Sequence, residues 1–262
     1  MNAKSHWAKF LNEVDEALKD LDVRANEECF YRGHGFSHYK LLPGLFRGLP
    51  DKRLNRKQKE SIQMTEYNLF YEFRARAKEA NGQNISDWDI LFYMQHHLCR
   101  TRLLDWSESL GVAVFFALLD KNKPSFSPVV YMLNPYAMNE FNEDARDLYS
   151  PEFLDDEDDN SYSDIINMEY PEFGWNKPLG IYPIRQVSRL IAQGGYFTIH
   201  GNDMRPIESI LPEKKNIWRK IPLPIEALAE AERFLGQAGI NEFTMFPDLD
   251  GLSKYLNRKY FL

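Results

Sequence analysis

The sequence predicts an α+β fold: a single domain with a central mixed or antiparallel β-sheet flanked by helices. Two observations carry this prediction. Long segments with apolar residues at three- and four-residue spacing, typical of amphipathic helices, alternate with short aromatic and β-branched runs, typical of strands. No internal repeat and no linker-like stretch divides the 262 residues, so we expect one domain over 1–262.

In the first half of the chain the pattern predicts four helices and two strands. Apolar side chains recur at helical spacing over 4–21, 53–80, 87–97 and 110–119. Ser86 stands where the N-cap of the third helix belongs. The fourth segment is apolar on nearly every side, so we expect that helix to be buried. Short apolar runs at 30–35 and 129–133 predict the strands.

The second half of the chain mixes strand signals, helix signals and an acidic segment. Strands are expected at 181–183, 189–200 and 217–221, and helices at 224–235 and 250–260. Residues 140–164 are acidic and poor in large apolar groups, which predicts a surface loop or a disordered insertion.

The composition indicates a globular protein with a sizeable core. Hydrophobic residues make up 44% of the chain, and the 14% that are aromatic suit both a β-rich core and aromatic-lined pockets. A net charge of −7 argues against a general nucleic-acid binder, because such proteins neutralise phosphates with a basic face. A local basic cleft is compatible with this charge.

Cysteine content and hydropathy predict a cytoplasmic protein with no membrane association. Cys29 and Cys99 are too few for a disulfide framework. No signal-peptide pattern occurs, and no apolar run reaches the length of about 18 residues that a membrane-spanning helix needs.

The strand at 30–35 carries an arginine and a histidine. Side chains alternate across a strand, so Arg32 and His34 are expected on the same face. A buried guanidinium requires a carboxylate, phosphate or carbonyl partner, because desolvating the charge alone is too costly. We therefore expect Arg32 to pair either with Asp105 inside the protein or with the phosphate of a ligand.

Two familiar kinds of catalytic site are disfavoured. His96 and His97 are adjacent, so on a helix their side chains diverge by about 100° and cannot easily bind one ion. HExxH and CxxC spacings are also missing, and His34 and His38 are separated by a loop, so no metal is expected. No GxSxG motif occurs, and Ser107 and Ser109 precede a helix, where an N-cap explains a serine.

A site for an anionic, ring-containing ligand such as a dinucleotide fits the residues better. We expect Arg32 and Gln193 on interior strands, with aromatic residues nearby and a helix beginning near Ser107. Arginine binds phosphate bidentately, helix N-terminal amides take a further oxygen, and aromatic rings stack on a base. The alternative is a buried ion-pair network of Arg32, Arg102 and Asp105 that ties strand to helix.

Five motifs, spread over roughly residues 25–255, resemble the FRG domain, a bacterial and phage family named for its Phe/Tyr-Arg-Gly signature. In chain order they are YRGH at 31–34, LPGLFR at 42–47, QHHLCRTRLLDWS at 95–107, AQGGYFTIH at 192–200 and FPDLDG at 246–251. The chain departs from the family pattern where Leu98 and Arg100 replace a glycine and a proline.

The resemblance implies a comparison with ADP-ribosyltransferases of the arginine-serine-glutamate kind, and hence an ADP-ribosyltransferase-like fold. In that comparison the catalytic residues are Arg32, which binds the pyrophosphate or ribose of NAD, Ser107 and Gln193. The hydroxyl of Ser107, or alternatively that of Ser109, lines the nicotinamide pocket, and Gln193 stands in the place of the catalytic glutamate. Glutamine cannot supply the negative charge that stabilises an oxocarbenium-like transition state. The enzyme would therefore rely on hydrogen bonding to the ribose or recruit Glu108 or Asp105, or the site would bind nucleotide without transfer. The residues expected to bind the nucleotide are Tyr31, Gly33, His34, His96, Thr101, Arg102, Asp105 and Trp106.

The resemblance thus implies a nucleotide-binding enzyme with NAD as its substrate: an ADP-ribosyltransferase or an NAD glycohydrolase in a toxin or phage-defence setting. Its acceptor would be an unknown protein or nucleic acid. Two alternatives from other classes stay open. One is a non-catalytic recognition module for RNA or protein, and the other is a metal-dependent nuclease that uses His34, His96 and Asp105.

Overall fold

A computed structural model of the chain describes residues 5–81, 86–151, 162, 166, 175–182, 191–211 and 216–261. The strands are β1 (Phe30–His34), β2 (Leu103–Ser107), β3 (Val129–Leu133), β4 (Leu179–Ile181), β5 (Gly195–Ile199) and β6 (Trp218–Pro222). The helices are α1 (His6–Asp20), α2 (Arg56–Asn81), α3 (Asp87–His96), α4 (Leu110–Leu118), α5 (Pro135–Glu143), α6 (Ile207–Ile210), α7 (Leu228–Gln237), α8 (Glu242–Met245) and α9 (Leu249–Phe261).

The six strands form one sheet in the order β4-β5-β2-β1-β3-β6, and each neighbouring pair is antiparallel. Together with the flanking helices this confirms the predicted α+β fold. Of the two predicted kinds of sheet, mixed or antiparallel, the sheet is antiparallel. The strand β2 is an addition to the elements expected from sequence. From the sequence, the segment of β2 was noted only as part of the motif at 95–107, and no strand was predicted there.

The sheet has a weak point between its two central strands. β1 pairs with β3 at five positions and β2 pairs with β5 at five, but β1 and β2 pair only at Tyr31 and Ser107. Beyond that pair the two strands separate. The sheet therefore consists of two halves, β1-β3-β6 and β2-β5-β4, that meet at a seam.

Each half of the sheet has its own helical cover on one face. Helices α1, α4 and α7 pack on the β1-β3-β6 half, around Tyr31, Val130 and Met132. Helices α2 and α3 pack on the β2-β5-β4 half, around Leu103 and Phe197. The opposite face is covered by α5 and α6 in a single core that spans the seam. Among the described residues, the first face thus has two separate cores, one on each side of the seam, whereas the opposite face has one core that crosses it.

The buried helix α4 is held directly against β1. It is capped by Ser109, whose hydroxyl accepts from the Val112 amide, as an N-cap does. At Gly33 the strand and the helix touch: a Cβ there would lie 1.8 Å from the Ala113 carbonyl oxygen. Glycine is required at this position because any side chain would push α4 off the sheet.

Two of the sequence expectations need comment. Gln193 was expected on an interior strand, but it lies in the turn before β5, which begins only at Gly195. The acidic segment 140–164 begins within α5, and its centre, at 152–161 and 163–165, lies outside the described residues.

Candidate functional site

A cavity of about 400 Å³ lies at the seam, where β1 and β2 separate. We call it the seam cavity. Its lining comes from β1, β2, the end of α3 with the loop that follows, α4, and the turn before β5. Volumes of this order, about 300–1,000 Å³, are typical of small-molecule sites.

Most of the residues predicted from the sequence line the seam cavity. They are Tyr31, Arg32, Gly33, His96, Asp105, Trp106, Ser107 and Gln193. The three residues assigned to catalysis are thus brought together although they lie far apart in the chain. His34, Thr101 and Arg102 are not part of the lining.

Arg32 spans the gap between the two central strands. Its Nη1 donates to the backbone carbonyl oxygen of Asp105 over 2.5 Å, and its Nε donates to His34 Nε2 over 3.0 Å. Among the described residues the carboxylate near it is that of Asp105, at 3.8 Å. Burial lowers the pKa of Arg32 from its ordinary value; the Asp105 carboxylate opposes this effect, and the charge of Arg47 adds to it. An arginine nevertheless stays charged, so the site holds a poorly neutralised cation.

His34 fixes the orientation of Arg32 from the same face of β1, as strand alternation predicted. An arginine Nε–H can only donate, so His34 Nε2 must accept, and the imidazole is neutral with its proton on Nδ1. Burial, and after it the positive charge of Arg32, lower the pKa of His34 to about 3. His34 is therefore a positioning residue for Arg32 at neutral pH.

The charge of the lining is strongly biased towards the positive. Among the described lining residues, Arg32, Arg47 and Arg100 carry positive charge and Asp105 carries the one carboxylate. Arg47 and Arg100 are exposed, while the Arg32 side chain is only 17% exposed. Since the whole chain carries a net charge of −7, this is a local basic cleft in an acidic protein.

A hydrogen-bonded chain holds the Asp105 carboxylate. Gln95 Nε2 donates to Asp105 Oδ2 over 2.9 Å, and Gln95 Oε1 accepts from the Thr101 hydroxyl over 2.5 Å. The Thr101 oxygen in turn accepts from the Leu103 amide. The Asp105 side chain is 56% exposed, so its carboxylate is positioned from one side and open to the cavity on the other.

Ser107 and Gln193 both support the wall of the cavity. The Ser107 hydroxyl donates to the Gln193 carbonyl oxygen over 2.6 Å and accepts from the Ser109 amide over 3.0 Å. The Gln193 side chain donates from Nε2 to the Met245 carbonyl oxygen over 2.9 Å. These bonds tie the end of β2 to the turn before β5 and to α8.

The FPDLDG motif at the C-terminal end of the chain supports the same wall. Asp248 caps α9 by accepting from the Gly251 amide over 2.7 Å, and a Cβ at Gly251 would lie 1.9 Å from the Phe246 carbonyl oxygen. This tight turn holds the Phe246 ring against Phe116, with ring centroids 6.0 Å apart, and Phe116 lines the cavity.

The inner wall of the seam cavity is apolar and aromatic. Phe92 from α3 and Phe197 from β5 lie with ring centroids 5.1 Å apart, and Phe116 and Val112 from α4 complete that side. Trp106 also contributes to the lining, although its Nε1 donates to Thr198 Oγ1 within the core. The cavity thus combines a basic region with aromatic surface.

Arg102 belongs to a buried structural network, and this corrects the alternative of a network of Arg32, Arg102 and Asp105. The carboxylate that pairs with Arg102 is Glu66 of α2, which accepts from Arg102 Nε over 2.6 Å and from Arg102 Nη2. Arg102 Nη1 donates to the carbonyl oxygens of His200 and Gly201. Arg102 is fully buried and pairs with a buried carboxylate, whereas the carboxylate near Arg32 belongs to the exposed Asp105. Arg102 and Arg32 therefore serve different purposes.

Several lining residues were not among those assigned from the sequence. Gln95, Arg47 and Arg100 lie inside the quoted motifs, so the motifs themselves were the signal that could have found them. Phe92 and Phe116 lie on helices, where apolar spacing indicates only burial.

Neither a metal-ligand cluster nor a membrane span is found in the described part of the chain. No three histidine, cysteine, aspartate or glutamate side chains among those residues are grouped so as to hold a metal ion. His34 Nε2 accepts a hydrogen bond from Arg32. Within the same residues, every helix is too short or too polar to cross a bilayer.

In the comparisons with known proteins, one family model matches part of the chain. The family model of the FRG domain matches residues 27–125, a segment that runs from the start of β1 past the end of α4. This match confirms the FRG resemblance for the segment that supplies Arg32, Gln95 and Asp105. Comparison with curated proteins and with solved structures gave no match.

Proposed function

We propose that this chain, which carries an FRG domain over residues 27–125, binds a nucleotide in the seam cavity and cleaves NAD there. It would act as an ADP-ribosyltransferase or an NAD glycohydrolase in a toxin or phage-defence setting. The acceptor is a protein or nucleic acid in the first case and water in the second.

One observation carries the proposal: the described residues that line the cavity include three arginines and one carboxylate, in a protein that is acidic as a whole. Arg32 is desolvated, oriented by His34, and 3.8 Å from the Asp105 carboxylate. An anionic ligand would supply the missing negative charge. Phosphate suits this role because a guanidinium binds two of its oxygens at once.

The aromatic wall supports a ligand that also contains rings. Phe92, Phe116 and Phe197 offer apolar ring surface within the same cavity as the arginines. Aromatic side chains pack against flat rings in offset or edge-on contacts that contribute about 0.5–1.5 kcal/mol beyond area burial. A nucleotide combines rings with phosphates, as the lining requires.

The same arrangement supports the proposed glycosidic cleavage. The bond between C1′ of the ribose and the nicotinamide nitrogen breaks, its electron pair leaves with nicotinamide, and C1′ acquires oxocarbenium character. Asp105 is the one carboxylate among the described lining residues, so it would stabilise that positive charge. Water or an acceptor nucleophile then adds to C1′ and loses a proton. Gln95 would orient Asp105 for this role.

The test is to incubate the purified protein with NAD and to measure free nicotinamide by chromatography and ligand binding by calorimetry. Wild-type protein should release nicotinamide, and Asp105→Asn should bind NAD but turn over roughly 100- to 1,000-fold more slowly. Asp89→Asn removes a carboxylate from the N-terminal turn of α3, which lies outside the lining, and serves as the matched control. Absence of both nicotinamide release and NAD binding in the wild type would refute the proposal. In cells, expression should lower the NAD pool in a manner that depends on Asp105.

A non-catalytic recognition module for RNA or protein is the second candidate, and one observation favours it. The Ser107 hydroxyl and the Gln193 amide, both assigned to catalysis by the ADP-ribosyltransferase comparison, hold the cavity wall together. Binding of RNA or of a protein without nicotinamide release would support this candidate.

A further inference from the structure

The turn that ends α3 contains a leucine in a left-handed backbone conformation. Leu98 has a φ of 62°. Its amide donates to the Gln95 carbonyl oxygen over 3.2 Å, and the Cys99 amide donates to the Met94 carbonyl oxygen over 2.9 Å. These two bonds form a Schellman motif, in which Leu98 takes the position that favours glycine.

Leu98 differs in chemistry from the other residues that adopt this conformation. In the part of the chain that the structure describes, the remaining non-glycine residues with positive φ are Asp22, Ser125, Asp144 and Asn216. Asn and Asp tolerate positive φ because their short polar side chains bond locally. A leucine has no such compensation, so its backbone is strained.

The side chain of Leu98 does little for the stability of the fold. It is 79% exposed, so it gains little from burial. It does, however, line the seam cavity, as does Arg100 two residues further on. A strained, exposed apolar residue at a ligand cavity indicates a role in contacting the ligand.

We propose that Leu98 is a specificity-determining residue: it forms the apolar surface on which the second base of a dinucleotide packs at the mouth of the seam cavity. This inference rests on the proposed function. Arg47 and Arg100, together with Arg32, hold the phosphates that link the two nucleosides, and the phenylalanines of the inner wall hold the first ring. A mononucleotide occupies the inner ring site and reaches the arginines without touching Leu98.

The experiment compares NAD with nicotinamide mononucleotide by calorimetry, using wild type, Leu98→Gly and Leu98→Met. Leu98→Gly should bind NAD about tenfold more weakly than wild type, because the apolar contact with the second base is lost. Its affinity for nicotinamide mononucleotide should stay within about twofold. Leu98→Met should keep the wild-type affinity for NAD, since methionine restores a flexible apolar side chain.

Thermal unfolding without ligand separates this role from a structural one. Because glycine adopts positive φ without strain, the melting temperature of Leu98→Gly should equal or exceed that of wild type by a few degrees. A lower melting temperature, or equal weakening of both ligands, would overturn the inference. So would wild-type affinity of Leu98→Gly for NAD, while the proposed function would stand. Failure of the wild type to bind either ligand would remove the proposed function and this inference together.

Discussion

Arg32 donates to the backbone carbonyl oxygen of Asp105 over 2.5 Å, whereas the Asp105 carboxylate lies 3.8 Å away and accepts from Gln95. The Arg32 side chain thus connects β1 to the backbone of β2, and these two strands pair only at Tyr31 and Ser107. Its charge is left largely available to an anion in the cavity. Arg102 shows the contrasting arrangement, because Glu66 neutralises it in the core.

That contrast predicts a large loss of stability for Arg102→Ala. The change leaves the Glu66 carboxylate, whose side chain is 5% exposed, without its cation. Removing one partner of a buried ion pair costs about 3–5 kcal/mol, which in a chain of this size lowers the melting temperature by roughly 10 °C. Calorimetric unfolding measures the change.

The matched control for Arg102→Ala is Arg76→Ala, which removes an arginine that pairs with Glu72 on the exposed surface of α2. Both side chains of that pair are more than two-thirds exposed, so the cost should stay below about 1 kcal/mol. Equal melting temperatures for Arg102→Ala and Arg76→Ala would contradict the structural role of Arg102.

His34 should make the protein less stable as the pH falls below neutrality. Burial and Arg32 lower its pKa from 6.5 to about 3 in the folded state. Between these two pKa values the unfolded chain binds a proton that the folded protein excludes. The free energy of unfolding therefore falls with decreasing pH, by about 1.4 kcal/mol per pH unit from this residue.

His34→Gln isolates this contribution. Glutamine offers Arg32 an oxygen acceptor but does not titrate. Urea unfolding at pH 6.5, 5.5 and 4.5 should show a shallower decrease for His34→Gln than for wild type. Buried His200, whose pKa is also lowered to about 3, remains in both proteins and contributes equally to both. Identical pH slopes for the two proteins would show that His34 is not desolvated.

Gly33→Ala should destabilise the fold by about 3 kcal/mol, because the added methyl group overlaps the backbone of α4. Gly236 in α7 is the control: no atom lies within 4 Å of a Cβ there. Gly236→Ala should stabilise the protein by about 0.5–1 kcal/mol through helix propensity. Changes of the same sign in the two variants would be inconsistent with the close contact of β1 and α4.

Gln193→Glu tests whether Gln193 stands in for a catalytic glutamate. The Gln193 amide donates to the Met245 carbonyl oxygen, and a carboxylate there would face another acceptor. We expect Gln193→Glu to lose about 1–3 kcal/mol of stability, more than Gln193→Ala, with no gain in nicotinamide release. A rise in nicotinamide release would restore Gln193 to the reacting centre.

Local patterns in the sequence were sufficient for much of the fold. Alternation along β1 correctly placed Arg32 and His34 on one face, as their hydrogen bond shows. The apolar segment after Ser109 correctly predicted α4 and its cap. The Gly-Gly pair at 194–195 was less informative, because Gly194 closes a turn with φ of 49° and Gly195 begins β5.

Partners that are distant in the chain could not be predicted in the same way. Glu66 precedes Arg102 by 36 residues, on a helix whose polar positions otherwise resemble a solvated surface. The Asp105 residue was correctly proposed as a partner of Arg32, but the hydrogen bond is made by its backbone oxygen, which every residue type carries. The type of side chain at position 105 therefore could not predict that hydrogen bond. The opening of the sheet at the seam likewise depends on tertiary packing.

The central claim is that the seam cavity binds a nucleotide through Arg32. The most direct measurement is calorimetric titration of NAD into wild-type and Arg32→Ala protein, with Arg76→Ala as the control for loss of one positive charge. Wild type and Arg76→Ala should bind equally, and Arg32→Ala should bind roughly 10- to 100-fold more weakly while it remains folded. Equal affinity of Arg32→Ala and wild type, or no binding by wild type, would contradict the claim.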